Sequence, residues 1–106
     1  MKTILIYSVD PGFLEEMRSK IQELETDRLS EILLFSEKEK LEFYAAGSRE
    51  AADVVIIDMD QEDDGIAIAE CVLEYQKNSQ IIFVSGSDEY YLDVYNVDHV
   101  YFLKKP

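Results

Sequence analysis

The chain has few of the residues that build disulfide-stapled, zinc-bound or membrane-embedded domains. Its 106 residues include one cysteine, Cys71, and one histidine, His99. A single thiol cannot form an internal disulfide, and one Cys with one His is too small a ligand set for a usual zinc site. No apolar run approaches the roughly 20 residues of a membrane-spanning helix, and the N-terminus lacks the regions of a signal peptide. These absences favour a cytoplasmic domain that does not associate with membranes.

Basic residues are also scarce. The sequence has 10 Lys and Arg against 23 Asp and Glu, a formal net charge of −13. Affinity for a nucleic acid backbone or an anionic lipid surface comes mostly from Lys and Arg. We therefore expect no direct binding to nucleic acid.

Glycine and proline are few, with four and two residues, and no low-complexity segment or long linker divides the chain. Apolar residues make up 47% of the sequence, enough to fill one core in a chain of this length. The sequence therefore predicts a single domain over residues 1–106.

Five short apolar runs, rich in branched and aromatic residues, are spread along the chain. Such runs are typical of parallel strands that are buried on both faces. The predicted strands cover residues 4–7, 32–35, 54–57, 81–84 and 100–103.

Helical patterns lie between the predicted strands. After Asp10 and Pro11, apolar residues recur at three- and four-residue spacing as far as Leu24. Further helices are predicted over residues 37–46, ending near Gly47, and over residues 65–75 and 89–95. Strand and helix in regular alternation predict right-handed crossovers and a doubly wound α/β sheet.

Chemically useful side chains follow three of the predicted strands. Asp58 directly follows the third strand, Ser85 follows the fourth, and Lys105 lies two residues past the fifth. In such sheets the ligand site lies beyond the carboxyl ends of the strands. Each residue alone has an ordinary explanation as a turn or surface residue. Together they indicate a phosphate-handling site with a nucleophile, a hydroxyl and a cation.

Four segments in the right order resemble the receiver domain of bacterial response regulators. They are Asp-Pro-Gly-Phe-Leu-Glu-Glu at 10–16, Val-Val-Ile-Ile-Asp at 54–58, Ile-Ile-Phe-Val-Ser at 81–85 followed by Asp-Glu-Tyr at 88–90, and Phe-Leu-Lys-Lys-Pro at 102–106. The Ser-x-x-Asp-Glu-Tyr and Leu-x-Lys-Pro patterns are most similar to receivers that precede a LytTR-type DNA-binding domain. The resemblance covers the whole chain.

The resemblance implies a flavodoxin-like five-stranded sheet of order 2-1-3-4-5 and a role in signalling, not an enzyme's role. It implies that a partner sensor histidine kinase phosphorylates Asp58. Ser85 would then hydrogen-bond one phosphoryl oxygen, and Lys105 would pair with another. Phe102 falls where the family places an aromatic ring that turns inward on phosphorylation. A C-terminal DNA-binding output domain would lie outside this chain.

The sequence departs from the family pattern at the magnesium pocket. The family usually carries two acids directly after the first strand, where this chain has Ser8 and Val9. Asp58, with Asp10 as a substitute carboxylate and Asp60 in the following loop, remains to hold Mg²⁺, and we expect weak binding. The loop from 59 to 64 is one residue shorter than usual, lacks the Met-Pro pair and contains four acids. Repulsion of a phosphodonor by these acids is expected.

The chain ends at Lys105-Pro106, where the family continues into a fifth helix. We therefore expect a receiver domain truncated before that helix. The first and fifth helices cover one face of this fold, so apolar strand residues on that face would lose their cover. A homodimer is the expected consequence.

Three functional hypotheses follow from the sequence. The leading one is a divergent receiver that works as a protein-interaction and dimerisation module, with weak or absent phosphorylation. The second is a working phosphoacceptor that uses Asp58 with an altered magnesium site. The third is a flavodoxin-like binder of a nucleotide or flavin. The segment from 7 to 12 argues against it, because it is poor in glycine and places Asp10 where a phosphate would sit.

Overall fold

A computed structural model of the protein describes residues 2–24, 31–47, 52–60, 65–86 and 100–105. Within these ranges strands and helices alternate along the chain. They are β1 (Thr3–Tyr7), α1 (Pro11–Leu24), β2 (Glu31–Phe35), α2 (Lys38–Gly47), β3 (Val54–Asp58), α3 (Gly65–Tyr75), β4 (Gln80–Ser85) and β5 (Val100–Lys104). The helix predicted over residues 89–95 lies outside the described residues. In the described ranges, no helix has the length and apolar character needed to cross a membrane.

The five strands form one parallel sheet in the order β2-β1-β3-β4-β5. This arrangement confirms the predicted flavodoxin-like fold. The register places Asp58 beside Val84, and Ser85 beside Lys104. Because all strands run in the same direction, the polar residues that end β3, β4 and β5 meet at the carboxyl-terminal end of the sheet.

Side chains alternate between the two faces of the sheet, and each face has its own core. Leu5 and Tyr7 belong to the larger core, which packs against α2 and α3. Ile4 and Ile6 belong to the smaller core, which packs against Leu14 and its neighbours on α1. Burial on both faces explains why the strands are nearly continuous apolar runs.

The predicted boundaries hold to within one residue for every described element. The start of α2 needs a correction, because the helix begins at Lys38 and not at Glu37. The carbonyl of Glu37 accepts the first helical hydrogen bond from the Leu41 amide at 3.3 Å, which makes Glu37 the N-cap. Such a residue is half inside the helix, and apolar spacing does not locate it.

Glycine at the start of α3 lets this helix begin directly against the end of β3. A Cβ at Gly65 would lie 2.5 Å from Met59 Sδ and 3.0 Å from Ile57 Cγ2. Both distances are shorter than ordinary van der Waals contacts, so a larger residue at this position would have to displace the Met59 and Ile57 side chains.

Candidate functional site

Asp58 is the last residue of β3 and is almost fully buried, with 1% exposure. Its Oδ2 accepts a hydrogen bond from the Ser8 hydroxyl at 2.8 Å. Its Oδ1 accepts the Asp60 amide at 3.0 Å and lies 2.9 Å from Lys105 Nζ. A buried carboxylate is costly unless it is paired and hydrogen-bonded. Asp58 has both kinds of partner.

Lys105 directly follows β5, and its amide donates to the Ser85 carbonyl at 2.7 Å. This bond continues the β4–β5 ladder and fixes the position of the Lys105 main chain, from which the side chain extends. The ammonium lies 2.9 Å from both Asp58 Oδ1 and Asp60 Oδ2 and sits 4.7 Å from the centroid of the Phe13 ring. Burial lowers the pKa of Lys105, but hydrogen bonds to the two carboxylates outweigh it and raise the pKa above its usual value. Lys105 therefore stays charged between the two acids.

The side chain of Asp60 reaches from the end of β3 across to the end of β4. Its Oδ1 accepts the Ser85 hydroxyl at 2.5 Å, and its Oδ2 accepts the Gly86 amide at 2.9 Å in addition to the Lys105 contact. Partial burial raises the pKa of Asp60. The three donors together lower the pKa by more than burial raises it, so the pKa lies below its usual value. The carboxylate is therefore ionised and held by a hydroxyl, an amide and an ammonium.

Ser8 follows β1 and is fully buried against Asp58. Its amide donates to the Phe35 carbonyl at 3.1 Å, and its hydroxyl oxygen accepts the Asp10 amide at 3.0 Å while donating to Asp58. A neutral hydroxyl thus contacts the buried carboxylate where the receiver pattern has an acid. Val9, the second changed position, is 43% exposed.

The sequence prediction that Asp58, Ser85 and Lys105 converge agrees with this geometry. Ser85 is fully buried and bonded to Asp60, and Lys105 contacts Asp58 directly. Phe102 is half-buried, packs on the face covered by α2 and α3, and pairs with Phe83 in the sheet. Its role as a switch stays a prediction.

The described residues do not fit a magnesium ion in this arrangement. The Asp10 carboxylate caps α1 by accepting the Gly12 amide at 2.9 Å, and the Asp60 carboxylate is held by three donors. Among the described residues, no group of three or more His, Cys, Asp or Glu side chains is placed to hold a metal. Asp58 and Asp60 face a common point, but the Lys105 ammonium occupies it, and Asp10 does not join them.

Sequence reasoning missed two contacts of this site, the Ser8–Asp58 hydrogen bond and the Asp60 carboxylate in front of Ser85. The unusual residues at 8 and 9 and the shortened acidic loop were the available signals. They marked where the pocket is altered, but they did not give the new partners.

No family model matches the sequence, and no curated protein matches it at a significant level. Solved structures do match the fold. The chemotaxis protein CheY4 of Vibrio cholerae superposes with a TM-score of 0.80 at 19% identity, covering 100% of this chain and 88% of that chain. The chain has the fold of a receiver domain.

Two further receiver-fold structures were solved in ligand-bound or modified states. The response regulator TrrA of Thermotoga maritima, in complex with Mg²⁺ and BeF, has a TM-score of 0.77 at 24% identity, covering 100% of this chain and 88% of that one. A response regulator of Burkholderia pseudomallei, with a phosphorylated aspartic acid, a calcium ion and citrate, has a TM-score of 0.79 at 15% identity. The match covers 100% of this chain and 61% of that chain.

Proposed function

We propose that this chain is a divergent receiver domain of a two-component pathway, in which it works as a signalling and protein-interaction module and not as an enzyme. The receiver fold supports this proposal, as does the meeting of Asp58, Ser85 and Lys105 at the carboxyl edge of the sheet. Phosphorylation of Asp58 is weak or absent in this proposal.

The observation that carries the proposal is the hydrogen bond from the Ser8 hydroxyl to Asp58 Oδ2. A carboxylate in that place would attract a cation by about 4 kcal/mol per pair of unit charges at 4 Å and an effective dielectric near 20. A neutral hydroxyl gives up that attraction, and every lost 1.4 kcal/mol weakens binding about tenfold. The chain therefore binds Mg²⁺ weakly and neutralises a transferring phosphoryl group poorly.

The proposed partners are proteins. A sensor histidine kinase is the phosphodonor class that the receiver fold suggests, and a LytTR-type DNA-binding domain outside this chain is the proposed output. The net charge of −13 makes direct contact of this domain with nucleic acid unfavourable.

Labelling by acetyl phosphate in the presence of Mg²⁺ tests the proposal. We expect little label on the wild-type chain compared with a receiver that carries both acids after its first strand. Any label should be lost in Asp58→Asn, because Asp58 alone among the described acidic residues is buried beside Lys105 at a strand end. Strong labelling that depends on Asp58 would favour the working phosphoacceptor, and labelling that persists in Asp58→Asn would refute the acceptor assignment.

We also propose that β5, with the residues of β3 and β4 on the α1 face of the sheet, binds a second copy of this chain. Phe102 packs on the face covered by α2 and α3, so Tyr101 and Leu103 face the side of α1. Both are exposed, at 60% and 53%. β5 also forms one edge of the described sheet, and an edge strand is a common site of association between chains.

The dimer should disappear when its apolar contacts are removed. Light scattering should show a dimer for the wild type and a monomer for Tyr101→Ser with Leu103→Ser. Phe43→Ser is the matched control, because Phe43 is 83% exposed on α2 and belongs to a different surface. A monomeric wild type at high micromolar concentration would contradict the proposal, as would a dimer that survives the double substitution.

A further inference from the structure

Three donors from the ends of β4 and β5 converge on one carboxylate of the same chain. They are the Ser85 hydroxyl, the Gly86 amide and the Lys105 ammonium, at 2.5, 2.9 and 2.9 Å from the oxygens of Asp60. A hydroxyl, an amide and an ammonium aimed at one point form a site for an oxyanion. We call this set of three groups the oxyanion cradle.

The oxyanion cradle lies next to the candidate phosphoacceptor. Lys105 Nζ is 2.9 Å from Asp58 Oδ1 and also 2.9 Å from Asp60 Oδ2. A phosphoryl group on Asp58 would therefore need the ammonium that already holds Asp60. The two anions would compete for the same donors.

The Asp60 carboxylate has the features of a resident ligand. Its two oxygens accept the Ser85 hydroxyl, the Gly86 amide and the Lys105 ammonium, so both ends of the carboxylate are held. It is also part of the chain, only two residues from Asp58, and the Asp60 amide donates to Asp58 Oδ1 at 3.0 Å. An intramolecular ligand has a high effective concentration, so a free anion displaces it poorly.

We propose that Asp60 is a built-in substitute for a phosphoryl group. It fills the oxyanion cradle and holds Ser85 and Lys105 as a phosphoryl group on Asp58 would hold them, so the ligated arrangement exists without phosphorylation. This inference rests on the proposed receiver function for its biological meaning. The occupancy of the cradle can be measured without it.

Titration with inorganic phosphate, followed through the amide NMR signal of Gly86, tests the proposal. In Asp60→Ala the Gly86 amide loses its acceptor, so its signal should move. Phosphate should then bind at least about tenfold tighter than in the wild type and return the signal towards its original position.

Two further variants complete the experiment. Glu74→Ala removes one exposed negative charge from α3 and controls for general electrostatics, so its affinity for phosphate should equal that of the wild type. Asp60→Asn keeps the size of the side chain and should also bind phosphate more tightly, which covers the case in which Asp60→Ala fails to fold.

Equal phosphate affinity in the wild type and the Asp60 variants would overturn the proposal. So would a Gly86 signal that does not move when Asp60 is replaced. Failure of the proposed function would look different, because the acetyl phosphate experiment reads the acceptor Asp58 and leaves the Gly86 result unchanged.

Discussion

Lys105→Met should lower the free energy of unfolding by about 3 kcal/mol, the lower end of the cost of breaking a buried ion pair. The lower end applies because the Lys105 side chain is 24% exposed. Methionine keeps much of the length of the side chain. It removes the positive charge that lies between the fully buried Asp58 carboxylate and the Asp60 carboxylate. Urea unfolding should show a lower midpoint with an unchanged slope.

Two controls separate the ion pair from a general effect of losing a lysine. Lys77→Met removes an exposed positive charge between α3 and β4 and should change stability by less than about 0.5 kcal/mol. Asp58→Asn added to Lys105→Met should recover part of the loss, because the buried charge is then gone. A Lys105→Met protein as stable as the wild type would mean that the contact contributes nothing.

Ser8→Asp with Val9→Asp should make the stability of the protein depend on Mg²⁺. Ser8 is fully buried with its hydroxyl 2.8 Å from Asp58 Oδ2, so a carboxylate there faces another carboxylate at close range. Without metal, we expect a loss of roughly 2–4 kcal/mol from charge repulsion and lost hydrogen bonds. Added Mg²⁺ should restore stability by mass action, with affinity at least about tenfold above that of the wild type.

Thermal unfolding with Mg²⁺ and with a chelator measures this effect, and Val9→Asp alone is its control. Val9 is 43% exposed, so the single variant should unfold much like the wild type in both conditions. Equal Mg²⁺ affinities of the wild type and the double variant would assign control of the site to the loop from 59 to 64 and not to the missing acids.

The sheet and its polar edge follow from the sequence because they depend on strong and repeated signals. Short, unbroken apolar runs separated by helical patterns leave few arrangements open, and parallel strands bring Asp58, Ser85 and Lys105 to the same end of the sheet whatever the loops do. The backbone hydrogen bond between Lys105 and Ser85 is an extension of this regular ladder.

The contacts inside the site follow from local geometry that periodicity does not describe. Asp60 was a candidate ligand for Mg²⁺, but its carboxylate instead binds Ser85, Gly86 and Lys105. Asp10 was a candidate substitute ligand, and its side chain caps α1. In both cases a short acidic side chain is drawn to the nearest amide, hydroxyl or ammonium donors, which depend on the path of the loop.

A carboxylate that belongs to the chain differs from an acyl phosphate in one respect, since water cannot remove it. The Asp60 carboxylate is joined covalently to the main chain, whereas the phosphoryl group of an aspartyl phosphate is lost by hydrolysis. A domain ligated in this way cannot be reset by a phosphatase. In the signalling role proposed above, the amount of protein in the cell, set by synthesis and proteolysis, would then take the place of its degree of phosphorylation.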